Sequence, residues 1–140
     1  MSQTITPYLY YEDVDAALEF LSRAFGFAEA MRLTGADGFV NHAEMRLGDA
    51  AIYLGDPGQR YRNPKRLGQQ TGGVYVEVED VEAHFAQARE AGAEVTEVPA
   101  DQPYGHRRYG ADDPEGHQWW FAQPIAESSP AEAEAGTTIA

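Results

Sequence analysis

The sequence contains no cysteine, and this absence removes several classes of site. Without a thiol the chain can form no disulfide bond, provide no thiolate nucleophile and bind no metal through sulfur. A divalent metal would have to be held by carboxylates or by the four histidines. No Gly-rich phosphate loop and no Gly-x-Ser-x-Gly motif occurs either, which argues against nucleotide binding and serine-hydrolase chemistry.

Positive charge is scarce as well. The chain has 10 Lys and Arg against 23 Asp and Glu, which gives a formal net charge of −13. This balance repels phosphate backbones and anionic lipid surfaces, so we expect neither a nucleic-acid nor a membrane partner. It serves solubility, and it can also attract cationic or polar neutral ligands by long-range steering. No uncharged stretch has the length of a membrane span and the start lacks a secretory signal, so we predict a cytoplasmic protein.

Apolar residues are sufficient for a core, at 43% of the chain, and they include 8 Tyr, 6 Phe and 2 Trp. We predict one domain over residues 1–125, made of two modules at 5–55 and 72–123. The segment 56–71, which contains a cluster of basic residues, is expected to be a solvated linker. Residues 126–140 contain no aromatic residue and are predicted to be a disordered acidic tail.

The two modules are predicted to be copies of one unit. Residues 12–18 (EDVDAAL) align with 79–85 (EDVEAHF), and residues 50–54 align with 117–121 at the same spacing. Each unit presents a strand, an amphipathic helix and three further strands, which is the order βαβββ. We therefore predict an α+β fold in which two tandem βαβββ modules form a mixed, curved sheet with the helices on its outer face.

The boundaries follow from local signals. Each helix is predicted to begin at an Asp that can cap its N-terminus, Asp13 or Asp80, and to end at a glycine. Hydrophobic alternation and turn residues then place the strands. The predicted strands are 6–11, 29–33, 40–47 and 50–54 in the first unit, and 73–78, 94–98, 107–112 and 117–122 in the second.

Alternation along the strands predicts a ring-lined face away from the helices. Successive side chains of a strand point to opposite faces, so Trp119 and Trp120 must separate, and we place Trp120 on the free face. Flat rings on that face could stack on a planar ligand or attract a cation, or they could fill a dimer interface or the core of the sheet itself. Besides Trp120, the side chains predicted on the free face are Tyr8, Tyr10, Tyr53, Tyr75, Glu77 and Gln118.

The duplicated unit, the Glu-Asp-Val helix starts and the segment 102–121 with its Asp-Pro-Glu-Gly-His turn together resemble the vicinal oxygen chelate superfamily. This superfamily includes glyoxalase I, bleomycin- and fosfomycin-resistance proteins and extradiol dioxygenases, and the resemblance covers residues 5–123. It implies the glyoxalase/bleomycin-resistance fold. For the small drug-binding members it also implies a two-fold homodimer whose paired units complete each ligand groove.

The metal-dependent members of that superfamily place their ligands on the first and last strands of each unit, usually as His or Glu. Carried over by the resemblance, these positions fall on Thr6, Tyr53, Gly73 or Val74, and Trp120. None of these residues is a normal ligand of a divalent cation. We therefore expect no metal and no cofactor, and neither glyoxalase nor dioxygenase chemistry.

The histidines are assigned mostly structural roles. His42 and Glu44 share one face of a strand and are expected to be an exposed or hydrogen-bonded pair, since two ligands are too few for a metal. His84 is expected on the helix surface, and His117 is expected to fix the turn that precedes it.

His106 is the histidine most suited to ligand contact. It lies with Tyr104 and Arg107 on a loop that enters a strand, a location where binding groups are common.

These observations favour a non-catalytic protein that sequesters a small aromatic compound, such as an antibiotic with a quinoline or quinoxaline ring. The alternative is an enzyme, either a glyoxalase-like lyase or isomerase or one with an atypical, metal-free site. In such an enzyme Glu77, Glu44 or His42 would act as general base. The predicted ligand-binding residues are Tyr8, Tyr10, Tyr53, Tyr75, Tyr104, His106, Tyr109 and Trp120.

Overall fold

The computed structural model describes residues 3–125, so the predicted tail at 126–140 lies outside the described residues. Two units with the order βαβββ are present, as predicted, and a short helix lies between them. The first unit comprises β1 (Tyr8–Tyr10), α1 (Val14–Phe25), β2 (Ala28–Thr34), β3 (Val40–Leu47) and β4 (Ala50–Gly55). The connecting helix is α2 (Pro64–Leu67). The second unit comprises β5 (Gly73–Glu77), α3 (Val81–Glu90), β6 (Glu94–Asp101), β7 (His106–Asp112) and β8 (Gln118–Pro124).

Each unit contributes a four-stranded mixed sheet, and the two sheets have the same topology. The strand order is β1-β4-β3-β2 in the first sheet and β5-β8-β7-β6 in the second. The first strand of each unit pairs in parallel with the last, and the remaining pairs are antiparallel. The predicted α+β fold is thus confirmed, and β1 and β5 each form an edge of their own sheet.

The helix caps follow the sequence signals with one difference. The carboxylates of Asp13 and Asp80 each accept a backbone N–H three residues further on, at 3.0 Å. Helix α1 ends at Gly26, whose φ of 83° lies in the left-handed region that favours glycine. In α3 the cap is Ala91 in an ordinary right-handed conformation, and the positive φ of 91° occurs one residue later, at Gly92.

Helix α1 lies at the centre of the core. Its apolar stripe meets the inner face of the first sheet and also reaches the second sheet, where Phe25 packs on Trp119 and Phe121 at ring distances of 5.5 and 4.7 Å. Trp119 is 0% exposed, as the prediction of its inward face requires. By contrast α3 buries only Val81 and Ala88. The buried residues of α1 are Val14, Ala17, Leu18, Phe20, Leu21, Ala24 and Phe25.

A buried carboxylate joins the two units. Asp113, in the turn before β8, is 3% exposed, and its Oδ2 accepts hydrogen bonds from the Tyr11 hydroxyl at 2.6 Å and the Trp119 indole at 3.0 Å. Its Oδ1 accepts the backbone N–H of Glu115 and of His117. Burying a charge is costly unless hydrogen bonds compensate it, and here four donors do so. Burial and the neighbouring Asp113 carboxylate raise the pKa of Tyr11, which keeps its hydroxyl protonated as a donor.

The connecting segment is held against both units. The carboxylate of Glu115 accepts the backbone N–H groups of Glu12 and Asp13, at 2.7 and 2.9 Å, just before α1. It also accepts the side-chain amide of Asn63, the residue that caps α2. The turn of the second unit therefore fixes the start of the first unit's helix and the segment between the units.

The structure gives His117 and His84 contacts that differ from those predicted from the sequence. At residue 117 the backbone N–H donates to Asp113 Oδ1 within the turn, whereas the His117 imidazole donates from Nε2 to the backbone oxygen of Tyr10 at 2.7 Å and so bonds the first unit. His84 is not on the surface, which corrects the prediction. It lies between the two helices, where its Nδ1 accepts the Tyr109 hydroxyl and its Nε2 donates to the Phe25 carbonyl. Burial lowers the pKa of His84, so this position favours the neutral form of the ring.

Among residues 3–125, no helix combines the length and the apolar character needed to cross a membrane.

Candidate binding site

The face of each sheet that points away from the helices carries exposed aromatic rings. Tyr8 and Tyr10 are 50% exposed and Tyr75 is 43% exposed, whereas the intervening apolar residues of β1 and β5 pack towards the core. The strand register pairs Tyr8 with Tyr53 and Tyr75 with Trp120. These neighbours arise from the alternation that the sequence predicted. We call the two surfaces the first and second open faces.

The first open face carries a hydrogen-bonded cluster of Tyr8, His42, Glu44 and Tyr53, which we call the first cluster. The Tyr8 hydroxyl lies 3.0 Å from His42 Nδ1, and His42 Nε2 lies 3.2 Å from Glu44 Oε2. A carboxylate can only accept, so Nε2 carries the proton and Nδ1 accepts from Tyr8. The Tyr53 ring meets the rings of both Tyr8 and His42 edge-on. The result is a directional chain that runs from Tyr8 to a carboxylate.

A glycine makes this chain possible. Tyr8 lies on β1 and His42 on β3, with β4 between them, and His42 is paired with Gly55 of β4. A Cβ atom at Gly55 would lie 2.6 Å from Tyr8 Cε1 and 2.7 Å from its hydroxyl oxygen. Only a residue without a side chain lets the tyrosine lie across β4 to reach the histidine.

The second open face carries a corresponding cluster of Tyr75, Tyr104, His106, Arg108 and Trp120, which we call the second cluster. The Tyr75 hydroxyl lies 2.8 Å from His106 Nδ1 and 3.3 Å from the Tyr104 hydroxyl. Arg108 Nη1 donates to the Tyr104 hydroxyl at 2.9 Å, and its guanidinium lies over the Trp120 ring at 4.3 Å. Burial and the hydrogen bond with the Tyr104 hydroxyl raise the pKa of Tyr75, so the Tyr75 hydroxyl stays protonated.

Arg108 is the residue of this cluster that the sequence reasoning missed. We had grouped Arg107 with His106, but Arg107 forms ion pairs with Glu82 of α3 and with Asp101. Adjacent strand residues point to opposite faces, and alternation from His106 selects Arg108. That alternation was the available signal.

A second glycine shapes the second open face. Gly110 of β7 pairs with Trp120, and a Cβ atom there would lie 2.7 Å from the indole Cζ3. The same atom would lie 2.8 Å from Thr96 Oγ1. The missing side chain therefore leaves the space that the indole occupies against the strand.

Tyr109 does not belong to either open face, which corrects its place among the predicted ligand-binding residues. Its ring is 0% exposed and packs on Phe121 and Phe85 in the core, at 5.4 and 5.2 Å. Its hydroxyl donates to His84, and burial raises its pKa. It follows Arg108 on β7, so it must point to the helix side.

Two cavities lie where the first unit approaches β5. One has a volume of about 390 Å³ and brings Tyr8 and Tyr10 together with Gly73 and the connecting segment. The other has a volume of about 540 Å³ and is lined by Tyr53, Tyr75 and Glu77. Four of the predicted ligand-binding residues and the candidate base Glu77 thus border cavities between the units. Of the three candidate bases, Glu77 lies in the second cavity, apart from the bonded pair His42 and Glu44.

The side chains at the inherited metal positions do not fit a divalent cation. Tyr53 makes edge contacts with neighbouring rings, and Trp120 lies beneath Arg108. The remaining positions offer only the hydroxyl of Thr6 and, at Gly73 or Val74, no side-chain atom that can bind a metal. Over the described range 3–125, no three or more His, Asp or Glu side chains are grouped so that they could hold a metal.

A sequence model described as the Glyoxalase/Bleomycin resistance protein/Dioxygenase superfamily matches residues 3–121. The chain belongs to this superfamily. The resemblance drawn from the duplicated unit and the Asp-Pro-Glu-Gly-His turn is thereby confirmed.

Relatives within the superfamily include two mycobacterial proteins. The uncharacterized protein Rv0887c of Mycobacterium tuberculosis is 33% identical over 136 residues, which cover 94% of this chain and 80% of that protein. The uncharacterized protein Mb0911c of Mycobacterium bovis shows the same identity, with 94% and 90% covered. Both names leave function open.

Solved structures of the superfamily have the same fold. TioX from Micromonospora sp. ML1 aligns with a TM-score of 0.71 at 32% identity, over 89% of this chain and 100% of that one. A bleomycin resistance determinant encoded on the transposon Tn5 aligns with a TM-score of 0.67 at 20% identity, again over 89% and 100%. At that identity the second likeness concerns the fold alone.

Proposed function

We propose that this protein binds and sequesters a small planar aromatic compound without changing it chemically, and that the compound is an antibiotic. The observation that carries the proposal is the exposure of Tyr8, Tyr10 and Tyr75 on the two open faces. Large rings left half-exposed on a sheet form a flat amphipathic surface. Each stacked ring pair contributes about 0.5–1.5 kcal/mol beyond the burial of area.

The proposal includes a second copy of the chain. Each open face is exposed in a single protomer, and β1 and β5 are sheet edges. A two-fold dimer that places the first open face of one protomer opposite the second open face of its partner would enclose a ligand between rings from both. Light scattering is expected to give the mass of a dimer, and a monomer that still binds ligand would contradict this part.

Tryptophan fluorescence provides the direct test. Trp119 is buried and Trp120 lies on the second open face, so Trp120 is expected to report a ligand that stacks there. Antibiotics with a quinoline or quinoxaline ring are titrated first, and we expect quenching that disappears in Trp120→Phe. Tyr75→Leu is expected to weaken binding about fivefold to tenfold, which corresponds to the loss of one ring contact.

The matched control is Phe39→Leu. Phe39 is 67% exposed and lies between β2 and β3, away from both clusters, so its loss should leave affinity unchanged. If no aromatic antibiotic quenches fluorescence, or if Phe39→Leu weakens binding as much as Tyr75→Leu, the sequestration proposal is wrong.

One observation favours a second candidate function, an enzyme with a metal-free acid–base site. In the first cluster the order Tyr8, His42, Glu44 is that of a donor, a base and a group that orients the base. His42 would accept a proton through Tyr8, and Glu44 would stabilise the resulting imidazolium. Mass spectrometry of a bound compound after incubation separates the two functions. An altered compound whose formation is lost in His42→Asn would favour the enzyme.

A further inference from the structure

The second cluster has more hydrogen-bond donors than acceptors. Arg108 carries five N–H groups and no acceptor. Nη1 donates to Tyr104, and Nη2 forms an ion pair with Glu97 Oε2 at 3.8 Å, a distance too long for a hydrogen bond. Nε is buried and has no hydrogen-bond partner within the described part of the chain. The Arg108 side chain is 24% exposed while its Nε is buried, so a ligand acceptor on this face would meet the terminal nitrogens of the guanidinium.

The hydroxyl network extends this donor character across the face. Arg108 donates to Tyr104, the hydroxyls of Tyr104 and Tyr75 are in contact, and Tyr75 can donate to His106 Nδ1. That direction places the remaining proton of His106 on Nε2, where it is a further donor. In the first cluster the series of hydrogen bonds ends instead on an acceptor, the Glu44 carboxylate.

The aromatic surface and the cation are combined in one place. The guanidinium of Arg108 lies 4.3 Å from the centre of the Trp120 ring, so it covers part of that ring. A planar guanidinium stacks on aromatic faces and also directs its N–H groups outward in its own plane. A ligand on this face therefore meets a stacking surface and a fork of donors together.

We propose that Arg108 and Trp120 form a subsite for an oxygen acceptor, a carbonyl or a carboxylate, attached directly to the planar ring of the ligand. The inference rests on the proposed sequestration of an aromatic compound and specifies which compounds are retained. The ligand ring lies on the part of Trp120 that Arg108 leaves uncovered, in the plane of the guanidinium, so that its oxygen accepts an in-plane N–H. The net charge of −13 repels an anion at long range, where salt screens charges beyond about 8 Å under physiological conditions, and the nearby Glu97 carboxylate is paired with Arg108.

The test compares three ligands of one shape by calorimetry on the full chain. These are 2-naphthoate, 2-naphthamide and 2-methylnaphthalene, which carry a carboxylate, a neutral carbonyl and no acceptor. We expect at least one acceptor-bearing ligand to bind the wild-type protein at least about tenfold more tightly than 2-methylnaphthalene. An equal gain for both acceptors identifies carbonyl recognition, and a gain for 2-naphthoate alone identifies carboxylate recognition.

Two variants and one control assign the effect to Arg108. Arg108→Met keeps an apolar stem over Trp120 and is expected to abolish the preference, whereas Arg108→Lys, which keeps the charge without the planar fork, should reduce it. Arg107→Met removes the neighbouring arginine on the other face and should retain the preference. Circular dichroism confirms that each variant is folded.

The outcomes separate this inference from the proposed function. If all three ligands bind the wild-type protein equally, or if Arg108→Met keeps the preference, the subsite is wrong and sequestration stands. If none of the three ligands binds, both proposals are contradicted.

Discussion

The two units share a backbone plan but differ in the chemistry of their open faces. In both, a tyrosine of the first strand bonds a histidine Nδ1 on the third: Tyr8 with His42 and Tyr75 with His106. The first network continues to a carboxylate, whereas the second continues to the guanidinium of Arg108. Residues on an open face do not support the core, so they can diverge while the topology is preserved. The two units therefore present open faces whose hydrogen-bond networks end differently, one on an acceptor and the other on a donor.

The units also differ in how much of their helix is buried. Helix α1 buries seven residues along its length, whereas α3 buries only Val81 and Ala88. Because α1 also contacts the second sheet through Phe25, the first helix belongs to the core of both units. Substitutions that disrupt the packing of α1 should lower the stability of the whole chain, and comparable substitutions in α3 should lower it less.

The largest expected effect tests this difference between the helices. Phe25→Ala removes a ring that is 0% exposed and should lower the free energy of unfolding by about 3–5 kcal/mol. The matched variant Phe85→Ala removes a partly buried ring of α3 and should cost clearly less. Urea denaturation measures both. Equal losses would contradict the unequal roles of the helices.

The next effect tests how the units are joined. Asp113→Ala leaves the hydroxyl of Tyr11 and the indole N–H of Trp119 buried without their acceptor. We expect a loss of about 2–3 kcal/mol in the free energy of unfolding. Asp49→Ala, which changes a residue of the corresponding turn in the first unit, is the control and should have little effect. A stable Asp113→Ala protein would show that this network does not join the units.

A smaller effect depends on pH. Burial lowers the pKa of His84 in the folded state, so the unfolded chain binds the proton more readily. Stability should therefore be full above the ordinary histidine pKa of about 6.5 and should decline as pH falls through that value towards the folded pKa.

The variant His84→Gln removes this titration. The slope of thermal stability between pH 7 and pH 5 should become shallower than in the wild-type protein. If His84→Gln retains the wild-type slope, other groups control the acid response.

The smallest expected effect tests the hydrogen-bond networks of the two clusters. Tyr8→Phe removes the hydroxyl that donates to His42, and Tyr75→Phe removes the one that contacts His106. Each variant should shift the imidazole nitrogen-15 resonances of its own histidine and change stability by less than about 1 kcal/mol. If the resonances of both histidines shift in either variant, the first and second clusters are coupled within one chain.

Local and periodic features allowed much of the fold to be predicted. The repeated βαβββ order, the capping by Asp13 and Asp80 and the opposite faces of Trp119 and Trp120 follow from patterns that span a few residues. The free-face positions of Tyr8, Tyr53 and Tyr75 follow from the same alternation. The predictions that failed concern Tyr109, His84 and Arg107. Alternation from His106 along β7 places Arg107 and Tyr109 on the helix side, whereas the position of His84 depends on Tyr109 and on Phe25 of α1.

What the sequence by itself determined is the architecture and the aromatic character of the open faces, because strand alternation, helix caps and turn residues act over short distances. The tertiary structure decided the chemistry of those faces. The absence of a side chain at Gly55 matters only because Tyr8 crosses β4 there to reach His42. In the same way Arg108 became a candidate ligand group only when strand pairing brought it over Trp120 and beside Tyr104. The contacts of Tyr8 with His42 and of Arg108 with Trp120 depend on pairing between strands, which the alternation within one strand does not specify.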